Sequence, residues 1–139
     1  DLIWVNNIKS YGTTDYYVQK LFSTNKGTNV VTALRNGKPL VGQDSLYVSV
    51  VIDTTSNDVI VKVVNASGKA QTNKFRLEGL KRKNSMADVT TLQSDDLTSM
   101  NSFSDPKNVS PQQSTLSLAG TTINFNSQAY SFSVIRIKM

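Results

Sequence analysis

Neither cysteine nor histidine occurs in these 139 residues. Without thiols there can be no disulfide, thiolate metal site or cysteine nucleophile. Without imidazole there is no histidine general base and no Ser-His-Asp triad. Charge is sparse at 18%, and glutamate is reduced to one residue, Glu78, beside nine Asp. No apolar run reaches the roughly 18 residues that a membrane-spanning helix needs, and no signal-peptide pattern opens the chain. Asp1 rather than Met stands first, as expected of an excised or processed piece of a longer protein.

Ser, Thr and Asn fill the space that charge leaves, and branched apolar residues recur throughout. That mixture excludes a disordered chain and suits an all-β domain of many short strands. At this length a single domain buries about two-thirds of its unfolded surface. The net charge of +5 raises the question of nucleic acid. The dense basic cluster Lys81-Arg82-Lys83, however, has no aromatic residues interleaved to stack bases. It reads as a solvated loop, and neither a nucleic-acid nor a membrane partner is expected.

Along the chain, the apolar run Leu2-Ile3-Trp4-Val5 predicts a short strand covered on both faces, ending at Asn6-Asn7. Thr13-Thr14-Asp15 supplies a helix N-cap region, and Tyr17, Val18, Leu21 and Phe22 repeat on one helical face. One helix is predicted over 14–23, with Gly27 as the candidate C′ residue. From Asn29 the period becomes two. Strands are predicted at 29–35, 45–53, 58–65, 71–78, 87–92, 114–119, 121–126 and 130–138. Polar turns at 53–57 and 66–69 separate them. A tight hairpin is expected from Leu116 and Leu118 through Ala119-Gly120 to Ile123 and Phe125. The last strand carries Phe132 and Val134 on one parity and Ile135 and Ile137 on the other. It is therefore buried on both faces or bulged near Val134. Residues 93–113 form a long polar loop with two prolines, the kind that is functional or packed against something else. The fold class that results is an all-β, jelly-roll-like antiparallel sandwich, preceded by one short strand and one helix.

Chemistry is scarce. Hydrolysis of a glycosidic bond uses two facing carboxylates, about 5–5.5 Å apart for retention and about 6.5–9.5 Å for inversion. Glu78, at a strand end beside basic residues, reads as a surface ion partner rather than half of such a pair. Asp95-Asp96 has the charge for calcium but no EF-hand spacing, and reads as a solvated loop. Asn65-Ala66-Ser67 and Asn108-Val109-Ser110 match the glycosylation sequon, a weak signal in a chain so rich in Asn and Ser. Trp4, Tyr11, Tyr16, Tyr17 and Phe22 concentrate in the first 22 residues. They read as core, with the condition that a lone helix so apolar needs a partner to cover it. No catalytic residue, metal ligand or cofactor-binding residue is assigned, and no cofactor is expected.

The string Tyr16-Tyr17-Val18-Gln19-Lys20-Leu21-Phe22-Ser23, preceded by Asp1-Leu2-Ile3-Trp4 and Tyr11-Gly12-Thr13 and followed by Asn25-Lys26-Gly27, resembles the stretch that closes the catalytic barrel of α-L-arabinofuranosidases of glycoside hydrolase family 51. The likeness continues through Ser45–Ser49, Val61–Asn65, Asn101–Phe103, Asp105–Pro111 and Tyr130–Arg136, in order over nearly the whole chain. The resemblance implies a (β/α)₈ catalytic barrel followed by a β-sandwich. The parent would be a retaining enzyme that releases terminal α-L-arabinofuranosyl residues from polysaccharides such as arabinan and arabinoxylan. The two barrel glutamates that act as acid/base and nucleophile have no counterpart here, so the fragment is expected to be inactive alone. Residues 1–28 would be the remnant of the last barrel strand and helix, and 29–139 the C-terminal sandwich. Because such barrels carry their active sites at the C-terminal ends of strands, Asn6 and Asn7 are the candidate substrate-face residues. Two roles stand: an accessory domain that packs on its own catalytic barrel and stabilises it, motivated by the unpaired aromatic helix, or an independent carbohydrate-binding module, motivated by the sandwich and its Tyr and Trp content. A secreted or periplasmic parent is expected.

Overall fold

Strands dominate the regular structure of the computed structural model, which describes residues 1–80 and 86–139. The ribbon β1 (Ile3–Val5) and β2 (Ser10–Gly12) leads into helix α1 (Thr14–Thr24). Then come β3 (Asn29–Val31), a small hairpin of β4 (Leu34–Arg35) and β5 (Lys38–Pro39), β6 (Leu46–Asp53), β7 (Asp58–Asn65) and β8 (Gln71–Arg76). The chain closes with β9 (Met86–Gln93), β10 (Gln112–Ser117), β11 (Thr122–Ser127) and β12 (Ser131–Lys138). A six-stranded antiparallel sheet, in the order β10-β9-β12-β7-β6-β3, faces a two-stranded layer of β11 and β8. The expected antiparallel sandwich is what forms.

Between the two layers lies one core, in which Val59, Val61 and Val63 of β7 and Ile135 and Ile137 of β12 meet Ile123 and Phe125 of β11. On the opposite face of the large sheet a second cluster joins Ile60, Leu92, Phe132 and Val134 to Leu21 of α1 and Val109 of the 94–111 loop. Strands β7 and β12 are therefore apolar on both parities because both their faces are covered. Each such Val or Ile contributes about 1.5–3 kcal/mol when fully buried. The register from Ser131↔Asn65 to Lys138↔Asp58 is unbroken, so two-sided burial, and not a bulge, explains the last strand.

Several sequence expectations are corrected. The turn at Ala119-Gly120 exists, with Ala119 and Thr122 exchanging backbone hydrogen bonds and Gly120 at φ 61°. Its two arms do not form a hairpin, however, since β10 pairs with β9 and β11 pairs with β8. The turn is a corner that carries the chain from one layer to the other. Predicted strand 29–35 breaks at residue 31, and Asn36-Gly37, both at positive φ, close the separate β4–β5 hairpin. Strand 71–78 ends at Arg76.

The helix ends differently from expectation as well. Thr13 is its N-cap, accepting from Tyr16 N at 3.3 Å. At the other end Asn25, not a left-handed glycine, caps it: Asn25 Nδ2 donates to Leu21 O at 2.9 Å. Gly27 serves close approach instead, because a Cβ there would lie 2.6 Å from Ile52 O and 2.7 Å from Val51 Cβ. The basic cluster Lys81-Arg82-Lys83 lies outside the described residues.

Candidate docking surface

Beginning at the N-terminus, β1 and β2 are joined by a turn that Asn6 builds. Its backbone N–H donates to Lys9 O at 2.9 Å, and its Oδ1 accepts from Ile8 N at 3.0 Å and Lys9 N at 2.7 Å. Asn6 is thus committed to shaping the turn, while Asn7 beside it is exposed. Thr13 ties ribbon to helix, donating from both N and Oγ1 to Leu2 O. Gly12 lies directly under the Tyr16 ring, where a Cβ would be 2.3 Å from Tyr16 Cδ1.

Contrary to the two-sided burial expected of residues 2–5, the ribbon is bare. Ile3, Trp4, Val5 and Ile8 are all exposed, Trp4 at 47% and Ile8 at 86%. Strands of such composition are covered in a finished protein, and a contiguous apolar patch marks an interaction surface. Nothing within the described residues covers this one.

The helix beside it is half seated. Leu21 is buried on the outer face of the large sheet, with Tyr17 and Val18 packed beside it. The Phe22 ring stacks on Phe132 at 4.5 Å between centroids, yet Phe22 remains 44% exposed. The condition set by the sequence is met on one side only: the sandwich supplies part of the cover that the aromatic helix requires.

Two polar networks fix this unit in place. The first is Asn101, nine-tenths buried, which donates from Nδ2 to Gly12 O (2.8 Å) and Val109 O (2.9 Å) and accepts from Val109 N (2.7 Å). With Phe103 edge-on to Tyr11 at 4.9 Å, it staples the long 94–111 loop to the ribbon–helix junction. That loop is packed, not free. The second network surrounds Asp58, whose side chain is 3% exposed. Arg136 donates to Asp58 Oδ2 from Nε (3.1 Å) and Nη2 (2.5 Å), and its Nη1 reaches Asn25 Oδ1 at 3.0 Å. Lys138 Nζ stands 2.7 Å from Asp58 Oδ1, an ion pair lacking hydrogen-bond alignment. Burial pushes the Asp58 carboxyl up, but the adjacent Lys138 ammonium and the hydrogen bonds from Arg136 and Ser56 outweigh it and hold the pKa below the usual 3.8. One guanidinium therefore links the start of β7, the end of β12 and the cap of α1.

The remaining sequence candidates scatter. Glu78 is exposed, and the basic residues Lys81, Arg82 and Lys83 beside it lie outside the described residues. Asp95 accepts from Gln93 Nε2, whereas Asp96 turns away to accept from Thr98 and Ser99. Hydrogen bonds from Thr98 keep the Asp96 carboxyl below its ordinary pKa. Among the described residues no group of three or more acidic, His or Cys side chains could hold a metal. Asn65 is 1% exposed, its Nδ2 directed at the carbonyls of Lys69, Ser127 and Gln128, whereas Asn108 is on the surface. Sequence reasoning missed the Asp58–Arg136–Lys138 group and the buried Lys62. The signal was present: charges two apart on the last strand, and a lysine inside the apolar run Val59–Val64.

The family model for the α-L-arabinofuranosidase C-terminal domain matches residues 1–131, taking in ribbon, helix and the sandwich up to the start of β12. The chain belongs to that family. α-L-Arabinofuranosidase 1 of Arabidopsis thaliana is 29% identical over 139 residues, covering 96% of this chain and 20% of the relative. α-L-Arabinofuranosidase 2 of the same plant is 29% identical over 119 residues, covering 85% and 17%. This arabinofuranosidase C-terminal domain thus spans about a fifth of the length of those curated relatives. Among solved structures, the arabinose-bound MgGH51 α-L-arabinofuranosidase superposes with a TM-score of 0.86 at 26% identity, covering 99% of this chain and 21% of that one. The thermostable family 51 enzyme of Thermotoga petrophila, at 21% identity, shares the fold with a TM-score of 0.77, covering 98% and 31%.

Proposed function

We propose that this domain is the non-catalytic C-terminal part of a retaining α-L-arabinofuranosidase acting on arabinose-containing polysaccharides, and that it docks on the enzyme's catalytic barrel and stabilises it. The observation that carries this reading is the bare apolar ribbon Ile3, Trp4, Val5 and Ile8, continuous with a helix seated on only one side. A ribbon of this composition gains a few kcal/mol for each large side chain that a second body covers. In this reading residues 1–28 complete the barrel as its last strand and helix, and 29–139 are the accessory sandwich. Asn6 and Asn7 then lie at the substrate face, Asn6 as the residue that shapes the turn and Asn7 as the one free to meet sugar. Recognition of glycan by the sandwich alone is less well supported. Tyr11, Tyr16, Tyr17 and Phe22 are engaged with Phe103, with each other and with Phe132, and do not form an open stacking platform.

The test is deletion of 29–139 from the intact enzyme, followed by thermal unfolding and assay of arabinose release. A large fall in melting temperature with loss of soluble, active enzyme is expected. Unchanged melting and full activity would refute the role.

A further inference from the structure

Lys62 is a cation in a place that has no use for one in this chain alone. It lies on the central strand β7, on the sheet face that α1 covers. Its same-face neighbours are Ile60 and Val64 along the strand, Val134 across on β12 and Ser49 across on β6. The residue is 7% exposed, and its ammonium sits 5.7 Å from the Phe22 ring centroid. Among the described residues it makes no ion pair and no hydrogen bond. One aromatic contact would offset only a fraction of the cost of removing this ammonium from water, so any body that covers the site must supply a partner for the charge. Burial accordingly pushes the Lys62 pKa down.

Its surroundings say which side is open. Toward β12 the helix covers the sheet, while toward β6 Tyr47 and Ser49 are exposed and Phe22 presents a bare edge. The Nζ atom is not sealed in, since Asp58 Oδ1 is the one fully enclosed side-chain polar atom lacking a hydrogen-bond partner among the described residues. The ammonium therefore meets the surface at the seam between the covered and uncovered parts of this face. Net charge +5 makes the domain a complement to an acidic partner, and most of the length of its relatives lies outside the segment it matches.

We infer that Lys62 and Phe22 form a socket for an acidic side chain of the docked catalytic domain, whose carboxylate meets the ammonium while apolar surface closes over the ring. This rests on the docking role proposed above. It commits the partner to a carboxylate at that point, because an apolar cover would bury the charge without compensation.

The experiment uses the intact enzyme and compares Lys62→Met, which keeps the unbranched stem and removes the charge, with Lys62→Arg, which keeps the charge. Trp4→Ser and Ile8→Ser report on whether the ribbon of residues 1–28 seats in the barrel, the junction through which the sandwich docks. Melting temperature and the rate of limited proteolysis between the domains are read for each. Loss of one member of a desolvated pair weakens docking by about tenfold or more. Lys62→Met is therefore expected to lower melting and speed proteolysis by that factor, with Lys62→Arg falling between it and the wild type. Lys62→Met as stable as the wild type, or more stable, while Trp4→Ser or Ile8→Ser loosens the enzyme would overturn the socket and leave docking standing. If none of the four variants loosens the enzyme, the docking role falls, and the socket with it.

Discussion

Replacing Asp58 by Asn removes one charge from a group that holds three elements together. The substitution keeps the shape of the side chain, so the effect is electrostatic. Breaking a fully buried ion pair costs about 3–5 kcal/mol. Here the carboxylate is buried, but the side chains of its partners Arg136 and Lys138 are 32% and 56% exposed, and solvent screens them. The discounted cost is about 2–3 kcal/mol, and at this chain length that lowers the melting temperature by about 6–12 °C. Urea and thermal unfolding of wild type and Asp58→Asn, followed by circular dichroism from pH 7 down to pH 2, measure it. The sign of the pH dependence is fixed. Because the folded pKa lies below 3.8, the stabilisation from Asp58 is fully present above that value and is lost as pH falls through the lower folded one. The gap between the two proteins should therefore be constant at neutral and mildly acidic pH and close in the strongly acidic range. Equal stability at pH 7, or a gap that persists once carboxylates are protonated, would refute the account.

Gly27→Ala forces a Cβ against Ile52 O and Val51, which sit on a strand that cannot yield without moving the sheet. A loss of about 2–4 kcal/mol of unfolding free energy, read as a lower urea midpoint, is expected. Asn101→Ala leaves Val109 N and two carbonyls without partners and should cost about 2–3 kcal/mol. Amide exchange of the 94–111 loop should rise in that variant while the β7 and β12 amides stay protected. In a glycosylating host Asn65 should remain unmodified because its amide is enclosed by three carbonyls, and peptide mass spectrometry of the secreted protein checks this. A glycan on Asn65 in folded protein would contradict the structure.

How much of this was legible depended on the range of the interactions. Thr13 as N-cap, the helix at 14–24 and the 53–57 hairpin rest on neighbours within a few residues, and pattern alone reached them. The arms of the Ala119-Gly120 turn did not follow local pattern, because their partners β9 and β8 lie some thirty and fifty residues upstream. The C-cap went to Asn25 and not to Gly27 because a guanidinium 111 residues away holds the asparagine in place, and β6 crowds the glycine. The opening strand ends just before Asn6-Asn7, as its apolar run predicts, but the buried charges Asp58 and Lys62 read in the sequence as ordinary polar interruptions. Only the pairing register puts Arg136 and Lys138 beside the first, and only the packing of α1 on the sheet puts the Phe22 ring near the second.

The position of β12 has a consequence for how this domain comes into being. Between β9 and β7 it occupies the middle of the large sheet, and from Ser131 to Arg136 each residue pairs on both sides. A nascent polypeptide emerging from the ribosome therefore carries two facing, unfilled edges until its last eight strand residues appear. Neither edge can be closed by a neighbour in sequence, so the slot stays open to intruding strands from other molecules until β12 emerges. Removing the segment after Tyr130 would not trim the domain. It would leave a sheet split down its centre.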